Sequence, residues 1–436
     1  MPLRFMATAP RGLADLVARE LKEFGVSSLR ERTGGVLFEA TLALGYRACL
    51  WSRVASRVLL QVAEFDAPDG DAFHSAAAGI DWRAHLEPGA TLACEFTGRH
   101  PTITHSHFGA LRLKDGICDQ LREATGQRPD IDAEQPDVRV VAYANGPRIT
   151  LYIDLAGEAL NRRGYRLNKG EAPLRENLAA GILLRAGWPA IAAEGGAFLD
   201  PLCGSGTLPI EAALIAADRA PGLARERWGF THWAGHDAAA WAELRAEARA
   251  RAQPTIGAAI RGSDRDAAVL RAAAGNAQRA GVAALIRFEC HAVREARPEG
   301  VAKGLVATNP PYGARMGEVN DSLLVHRELG DTLREWFGGW QAAVITAAPE
   351  AARALSLRTF RTHELWNGAI ECRLLRVDLD APGAPAREDG ALPEADAELA
   401  ASPGAVMFAN RVAKNLRNLA RPASKEQVGC YRLYDA

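Results

Sequence analysis

FLDPLCGSGTLPIEAAL, residues 198–214, decides the fold. An apolar run delivers Asp200, Pro201 and Cys203 lead into Gly204 and Gly206, and helical periodicity begins near Thr207. Glycine permits φ > 0 and close backbone approach, so the stretch reads as strand, tight loop and helix. Backbone N–H groups and the positive end of the helix then face whatever lies over the loop, which suits an anionic group. A strand-to-helix turn with no ligand would use the same residues. No G-K-[ST] follows, which excludes a P-loop, and the spacing is not the G-x-G-x-x-G of a dinucleotide site.

Around that loop, strands alternate with helices from a first helix at Leu174–Ala186 to about residue 380. The strands are Ala197–Asp200, Ile260–Ser263, Ile286–Glu289, Leu305–Thr308 and Gln341–Ala347. Further helices fall at Leu208–Ala217, Ala267–Ala280 and Leu323–Trp336, and a hairpin of Arg358–Leu365 and Ile370–Leu379 turns at Asn367-Gly368. This order predicts an α/β, Rossmann-like, doubly wound and mostly parallel sheet with a terminal hairpin. The second strand ends at Asp264, followed by Arg265, where an acid in an open α/β sheet accepts hydrogen bonds from ribose hydroxyls. A helix N-cap is the other use for an acid there, and Asp266 suits that role better.

ATNPPYG, residues 307–313, follows the apolar strand Leu305–Thr308. Pro310 and Pro311 end the strand and fix the backbone, setting the Pro310 carbonyl beside the Asn309 side chain. Two adjacent acceptors suit a substrate that presents an NH₂ group. An exocyclic base amine is a poor nucleophile because its lone pair is delocalised, and hydrogen bonds from both N–H groups help localise it. Tyr312 offers a flat face for a flipped base. An Asx-Pro turn is the structural alternative.

The first 157 residues predict an α+β region. Strands at Leu3–Ala7, Gly35–Ala40, Arg57–Phe65, Thr91–Phe96, Arg139–Ala144 and Arg148–Leu155 accompany helices at Gly12–Phe24, Thr41–Cys49 and Ser106–Ala124, with a hairpin turn at Asn145-Gly146. Residues 381–405 are rich in Pro, Gly and Ala with five acids against one Arg, which predicts a linker. Residues 406–436 return to order-forming sequence.

Fifty-two basic residues against 53 acidic ones leave a net charge of −1 over 436 residues, which argues against indiscriminate polyanion binding. The charge is unevenly divided. Residues 161–175 carry five basic residues against one acid, and 406–436 carry six against two. Arg162, Arg163, Tyr165, Arg166 and Lys169 therefore read either as a solvated linker or as a phosphate track with a stacking Tyr, and their place before the catalytic cleft favours the second. No stretch has the length and apolarity of a membrane span or a signal peptide, so a cytoplasmic protein is expected. Seven scattered cysteines without a C-x-x-C argue against disulfides and zinc, and His100, His105 and His107 lack the cysteines or carboxylates that would make a metal site.

The Gly loop, Asp264 and N-P-P-Y resemble the class I S-adenosylmethionine-dependent methyltransferases that modify exocyclic amines, over about residues 158–380. APLRENLAAGILLRAGW, residues 172–188, matches the helix that closes the cofactor site in that family. THSHFGALRLKDGICDQLRE, residues 104–123, resembles the RNA-binding part of THUMP-containing members, most closely the L half of the RlmKL family of 23S rRNA methyltransferases. The resemblance implies a ferredoxin-like and THUMP region in 1–157, with the THUMP part at about 45–155. It also implies a methyltransferase domain in 158–380, and makes 406–436 similar to the opening of a K-half domain, so that a K-like partner would be separate or missing. The implied cofactor is S-adenosyl-L-methionine, held by Asp200, Pro201, Cys203, Gly204, Gly206, Thr207, Asp264, Arg265 and Ala292, with no metal. The implied activity is methylation of a guanine N2 amine in 23S rRNA or a large-subunit precursor through Asn309, Pro310, Pro311 and Tyr312. Thr104, His105, Ser106, His107 and Lys114 join the basic segment as RNA contacts. One departure stands out: where members place an acid toward the adenine amine, this chain has His291 and Ala292, which implies weaker cofactor affinity. A tRNA guanine-N2 enzyme, an adenine-N6 enzyme and a non-catalytic ribosome-assembly factor remain alternatives.

Overall fold

Apolar alternation over the first third of the chain builds one sheet, not two. In the computed structural model, which describes residues 2–166, 174–311 and 318–379, this sheet holds β1 (Leu3–Thr8), β2 (Ser28–Arg32), β3 (Gly35–Ala40), β4 (Arg57–Asp66), β5 (Leu92–Arg99), β6 (Val138–Asn145) and β7 (Arg148–Asp154). Their order is β2-β3-β1-β4-β7-β6-β5, with β5 and β6 parallel and the other pairs antiparallel. Central β4 bonds β1 on one side and β7 on the other, so the segments before and after it share a sheet. Helices α1 (Ala14–Glu23), α2 (Leu42–Trp51), α3 (Gly70–Ala78) and α4 (Ser106–Thr125) accompany it. Asp69 caps α3 by accepting from the Ala72 N–H at 2.8 Å, and Gly126, at φ +76°, ends α4 in the left-handed conformation that a side chain disfavours.

The second sheet follows α5 (Glu176–Arg185) and α6 (Trp188–Ala193). It comprises β8 (Ala197–Asp200), α7 (Thr207–Ala216), α8 (Ala238–Arg251), β9 (Ile260–Asp264), α9 (Ala267–Arg279), β10 (Ile286–Cys290), β11 (Gly304–Thr308), α10 (Glu318–Trp336), β12 (Gln341–Thr346), α11 (Pro349–Ala354), β13 (Thr359–Asn367) and β14 (Ile370–Asp378). The order is β10-β9-β8-β11-β12-β14-β13. The first five strands are parallel and β14 runs antiparallel to both its neighbours, which is the doubly wound sheet with a terminal hairpin that the sequence predicts. All residues of β8 and β11 are buried, as expected of strands covered on both faces.

Both hairpin turns sit one residue later than their Asn-Gly pairs suggest. Asn145 pairs with Arg148 and Asn367 with Ile370, so the turn residues are Gly146-Pro147 and Gly368-Ala369. Gly146 and Gly368, at φ +65° and +69°, take the first central position, the place a type II′ turn reserves for glycine.

Strand β2 and helices α3, α6, α8 and α11 escape the sequence reading. SLRER carries a single apolar residue because β2 is an exposed edge. Helix α8 buries only Leu244 and Ala248, so it lacks a legible apolar stripe. The segment around α8 reaches back to the first sheet: the Tyr46 hydroxyl lies 2.8 Å from His236 Nδ1 and accepts from the Asp237 N–H at 3.0 Å, with the Phe230 ring 4.4 Å away. Arg225 adds donated bonds to the carbonyls of Ala156, Glu158 and Ala159. The expected linker 381–405 and tail 406–436 lie outside the described residues, as do Lys169 and Tyr312.

Candidate active site

Strands β9, β8 and β11 are adjacent, so the loops that leave their carboxyl ends meet over one edge of the sheet. The loop after β8 carries the glycines, the end of β9 carries Asp264 and the loop after β11 carries Asn309. In the first, Gly204 and Gly206 have φ of +51° and +83°, and a Cβ on Gly206 would lie 3.0 Å from the Ala273 Cβ. Backbone bonds fix the loop: the Gly206 N–H donates to Cys203 O at 2.8 Å, and the Cys203 N–H donates to Ser263 O at 2.9 Å. Asn276 Nδ2 adds a bond to Ser205 O at 2.9 Å.

Asp264 braces this loop from the next strand. Its Oδ2 accepts from the Gly204 N–H at 3.1 Å and its Oδ1 from the Asp266 N–H at 3.0 Å. Each oxygen keeps a further acceptor direction for a hydroxyl. Asp266 takes the cap of α9, accepting from the Ala268 N–H at 2.7 Å. Arg265 is exposed, Pro201 is buried, and Cys203 packs inside, where burial pushes its thiol well up and out of nucleophilic range.

Asp200 differs from every other acid of the loop. It is 2% exposed, and among the described residues no cation pairs with it. Burial pushes its carboxyl up to about 7, against the opposing hydrogen bonds of the Thr308 hydroxyl and of the Leu202 N–H, the latter donated to Oδ1 at 3.1 Å. Close by, the N-terminus of α7 presents free backbone N–H groups. A buried carboxylate lacking a cation and a helix start lacking an anion suit one ligand that carries both an ammonium and a carboxylate.

On the third loop Asn309 is half-buried, Pro310 buried and Pro311 exposed. The Pro311 carbonyl accepts from Ser322 Oγ at 2.6 Å, and the Ser322 carbonyl lies 2.7 Å from Nδ1 of the buried His326. Sequence reasoning missed this support because both residues lie on α10, beyond the motif. It also missed Glu295, whose Oε2 accepts from the Ala292 N–H at 2.9 Å where the expected acid is absent.

The basic segment requires a correction. Arg163 and Tyr165 are each 2% exposed and cannot meet RNA. Arg163 Nη1 donates to Leu160 O at 2.6 Å and Nη2 to Arg53 O, while Nε lies 3.5 Å from Glu211 Oε1 on α7. The Tyr165 hydroxyl donates to the same Glu211 oxygen at 3.1 Å. Arg166 also turns inward, against α5 and α7. Arg162 alone of the described arginines here is exposed, 3.1 Å from Glu158. In the first region Thr104, His105, Ser106 and His107 are exposed together with Phe108 at the start of α4, and Lys114 pairs with Asp115 at 2.9 Å. His100 is buried and structural: its Nε2 lies 2.8 Å from Ala67 O and its Nδ1 accepts from the Ile103 N–H at 3.0 Å. Among the described residues no group of three or more His, Cys, Asp or Glu could hold a metal, and no helix is long and apolar enough to cross a membrane.

Three family models match the chain in order. They are the RlmL ferredoxin-like domain over residues 4–59, the THUMP domain over 69–154 and the RMKL-like methyltransferase domain over 163–376. A ribosomal RNA large subunit methyltransferase K/L from Syntrophotalea carbinolica is 47% identical over 100% of the chain and 61% of its own length. One from Ectopseudomonas mendocina is 45% identical over 98% and 61%. The chain thus spans about three fifths of these relatives. Among solved structures, a possible methylase from Clostridium difficile 630 superimposes with a TM-score of 0.79 at 26% identity, covering 89% of this chain and 100% of that one. A predicted N6-adenine-specific DNA methylase from Listeria monocytogenes gives 0.76 at 28%, covering 88% and 97%.

Proposed function

The chain belongs to the RMKL-like methyltransferases that carry RlmL ferredoxin-like and THUMP domains, and from that premise we propose that it methylates the exocyclic N2 amine of a guanine in 23S rRNA. The observation that carries this reading is the placement of Asn309 and Pro310 at the end of β11, beside the glycine loop of β8. S-adenosylmethionine, when bound, supplies an electrophilic methyl group from its sulfonium.

The chain supplies position and charge. Asp200 receives the ammonium of the amino-acid moiety, the N-terminus of α7 its carboxylate, and Asp264 the ribose hydroxyls. Asn309 Oδ1 and the Pro310 carbonyl accept the two N–H groups of the target amine. That holds the amine in one orientation and draws its lone pair out of ring conjugation. The amine nitrogen would bond to the methyl carbon as that carbon's bond to sulfur breaks, and one amine proton would pass to solvent by way of its hydrogen bond to Asn309 or Pro310. The exposed start of α4, with His105, His107 and Phe108, and Arg162 at the junction supply the RNA contacts.

Replacing Asn309 with Ala tests the assignment. Binding of S-adenosylhomocysteine by calorimetry should stay within about twofold, while methyl transfer to 23S rRNA should fall by about 10²-fold, the scale of one lost transition-state acceptor. Full retained turnover sinks the role of Asn309. Nucleoside mass spectrometry of the product decides the base: N2-methylguanosine supports the reading, whereas N6-methyladenosine would replace it with adenine chemistry.

A further inference from the structure

We infer that Ser322, on α10, is a positioning residue for methyl transfer: its hydroxyl holds the Pro311 carbonyl and so aims the neighbouring Pro310 carbonyl at the target amine. This rests on the reading of Asn309 and Pro310 above and deepens it. Neither Pro310 nor Pro311 has a backbone N–H, so hydrogen bonds can hold this stretch of backbone only through its carbonyls. In that reading the Pro310 carbonyl meets the amine, which leaves the Pro311 carbonyl as the handle. Ser322 Oγ donates to it at 2.6 Å, and Ser322 is 4% exposed. The Pro311 ring locks φ at about −65°, so ψ of Pro311 is the one soft torsion between the held carbonyl and the working one.

The buried stripe of α10 shows that this contact replaces core packing. Ser322, His326, Leu329 and Leu333 follow one another at helical spacing and are all buried, and the stripe continues into Phe337. Leu329, Leu333 and Phe337 pack in one cluster with Leu199 of β8 and Val306 of β11, so α10 is fixed to the strands that carry the site. Gly330 lies so close to the Leu355 carbonyl that a Cβ would collide with it, which seats the helix against the end of α11. Where the stripe reaches the N-P-P loop it turns polar. His326 is wholly buried and its Nδ1 lies 2.7 Å from the Ser322 carbonyl; a carbonyl only accepts, so the imidazole hydrogen sits on Nδ1. Burial lowers its pKa and favours the neutral ring, and among the described residues Nε2 has no hydrogen-bond partner. An apolar pair at 322 and 326 would suit the core better, and a fold departs from its best packing where a site requires it. His326 braces the turn that carries Ser322.

Stability and turnover should therefore move apart, which a merely structural serine would not show. In the full chain, Ser322→Ala should lower kcat for methyl transfer to 23S rRNA about tenfold, the scale of one lost hydrogen bond to the loop. KM for the RNA and the affinity for S-adenosylhomocysteine by calorimetry should each stay within about twofold, and the thermal midpoint within about 2 °C. Ser322→Thr keeps the hydroxyl and should restore most of the turnover. His326→Leu should lower kcat by a smaller factor and melt no earlier than wild type. Combined with Ser322→Ala it should add less than about twofold to the loss, because it acts through the same turn. Unchanged turnover in Ser322→Ala, a Thr variant as slow as the Ala one, or losses in kcat that track the melting point across the variants overturns the proposal. If His326→Leu does not fold, the two replacements of Ser322 decide alone. Wild type that transfers no methyl group to a base amine overturns the reading of Asn309 and Pro310 instead, and this proposal with it.

Discussion

Asp200 and Glu211 are buried carboxylates on either side of one glycine loop, and their surroundings are opposite. Asp200, at the end of β8, has neutral partners among the described residues, the Thr308 hydroxyl and the Leu202 N–H, and burial lifts its carboxyl to about 7. Glu211, inside α7, is fully buried too and burial also raises its pKa, but the charges of Arg163 and Arg53 and the Tyr165 hydroxyl oppose the rise. Arg53 in turn carries its backbone N–H 2.9 Å from the buried Glu20 of α1, which also accepts from Ser52 Oγ at 2.6 Å. One carboxylate is compensated from within the chain and ties the first sheet to α7. The other has no cation among the described residues, and the proposed cofactor would bring one. The contrast separates an acid that holds the fold from an acid that serves the site more sharply than burial does.

The most severe way to break the contrast is to remove the compensation. Arg163→Met should destabilise the protein by about 3–5 kcal/mol, because Glu211 loses its largest compensating charge while buried and keeps only Arg53 and the Tyr165 hydroxyl. Adding Glu211→Gln should recover part of that loss, since the charge that lost its partner is removed as well. Urea denaturation of both variants checks this. A loss below about 1 kcal/mol in Arg163→Met would mean that Glu211 is already protonated in the fold and that the two carboxylates are alike.

Asp200 should behave in the reverse sense. Its folded carboxyl titrates above the ordinary Asp range, so its contribution to stability is fully present below about pH 4 and is lost as pH rises through about 7. Without ligand, Asp200→Asn should therefore be more stable than wild type at pH 8, by an amount on the order of 3 kcal/mol, with the difference shrinking toward pH 5. S-adenosylhomocysteine binding to wild type should strengthen from pH 6 to pH 8 as the carboxylate ionises, and the Asn variant should lose both the affinity and its pH dependence. A variant less stable than wild type at pH 8 would give Asp200 the structural role of Glu211.

This division also marks what could be read from the sequence. Strands β8, β9 and β11 were legible because each is a short apolar run stopped by Asp, Gly or Pro, and the same stops deliver Asp200, Asp264 and Asn309 to adjacent strand ends. The cap at Asp266 was legible for the same local reason. Arg163, Tyr165 and Arg166 were misread because a polar, basic stretch looks solvated when the acids that pair with it lie far along the chain, at Glu211 and Glu176. A signal was nevertheless present: Glu211 stands alone within the apolar run LPIEAALIA, and an acid at the centre of a buried helix requires a cation from elsewhere. The aromatics Trp228 and Phe230, in the loop before α8, and Trp241 in its first turn were a similar signal, since so many large rings close together need a surface to bury against.

The smallest expected effect tests the contrast at its edge, between neighbours in sequence. Arg162 and Arg163 share a charge and a segment, yet Arg162 is 58% exposed and, among the described residues, pairs only with the equally exposed Glu158. An exposed pair of this kind contributes little, so Arg162→Ala should change stability by less than about 0.5 kcal/mol, against several for its neighbour. Its proposed effect is on RNA binding instead. If Arg162 meets a phosphate, the variant should bind a 23S rRNA fragment more weakly, and the slope of log affinity against log salt should become shallower by about one counterion. The salt slope is the deciding measurement because a small structural disturbance would weaken binding at every ionic strength alike. An unchanged slope would leave Arg162 as solvated surface and confine the RNA contacts to the start of α4.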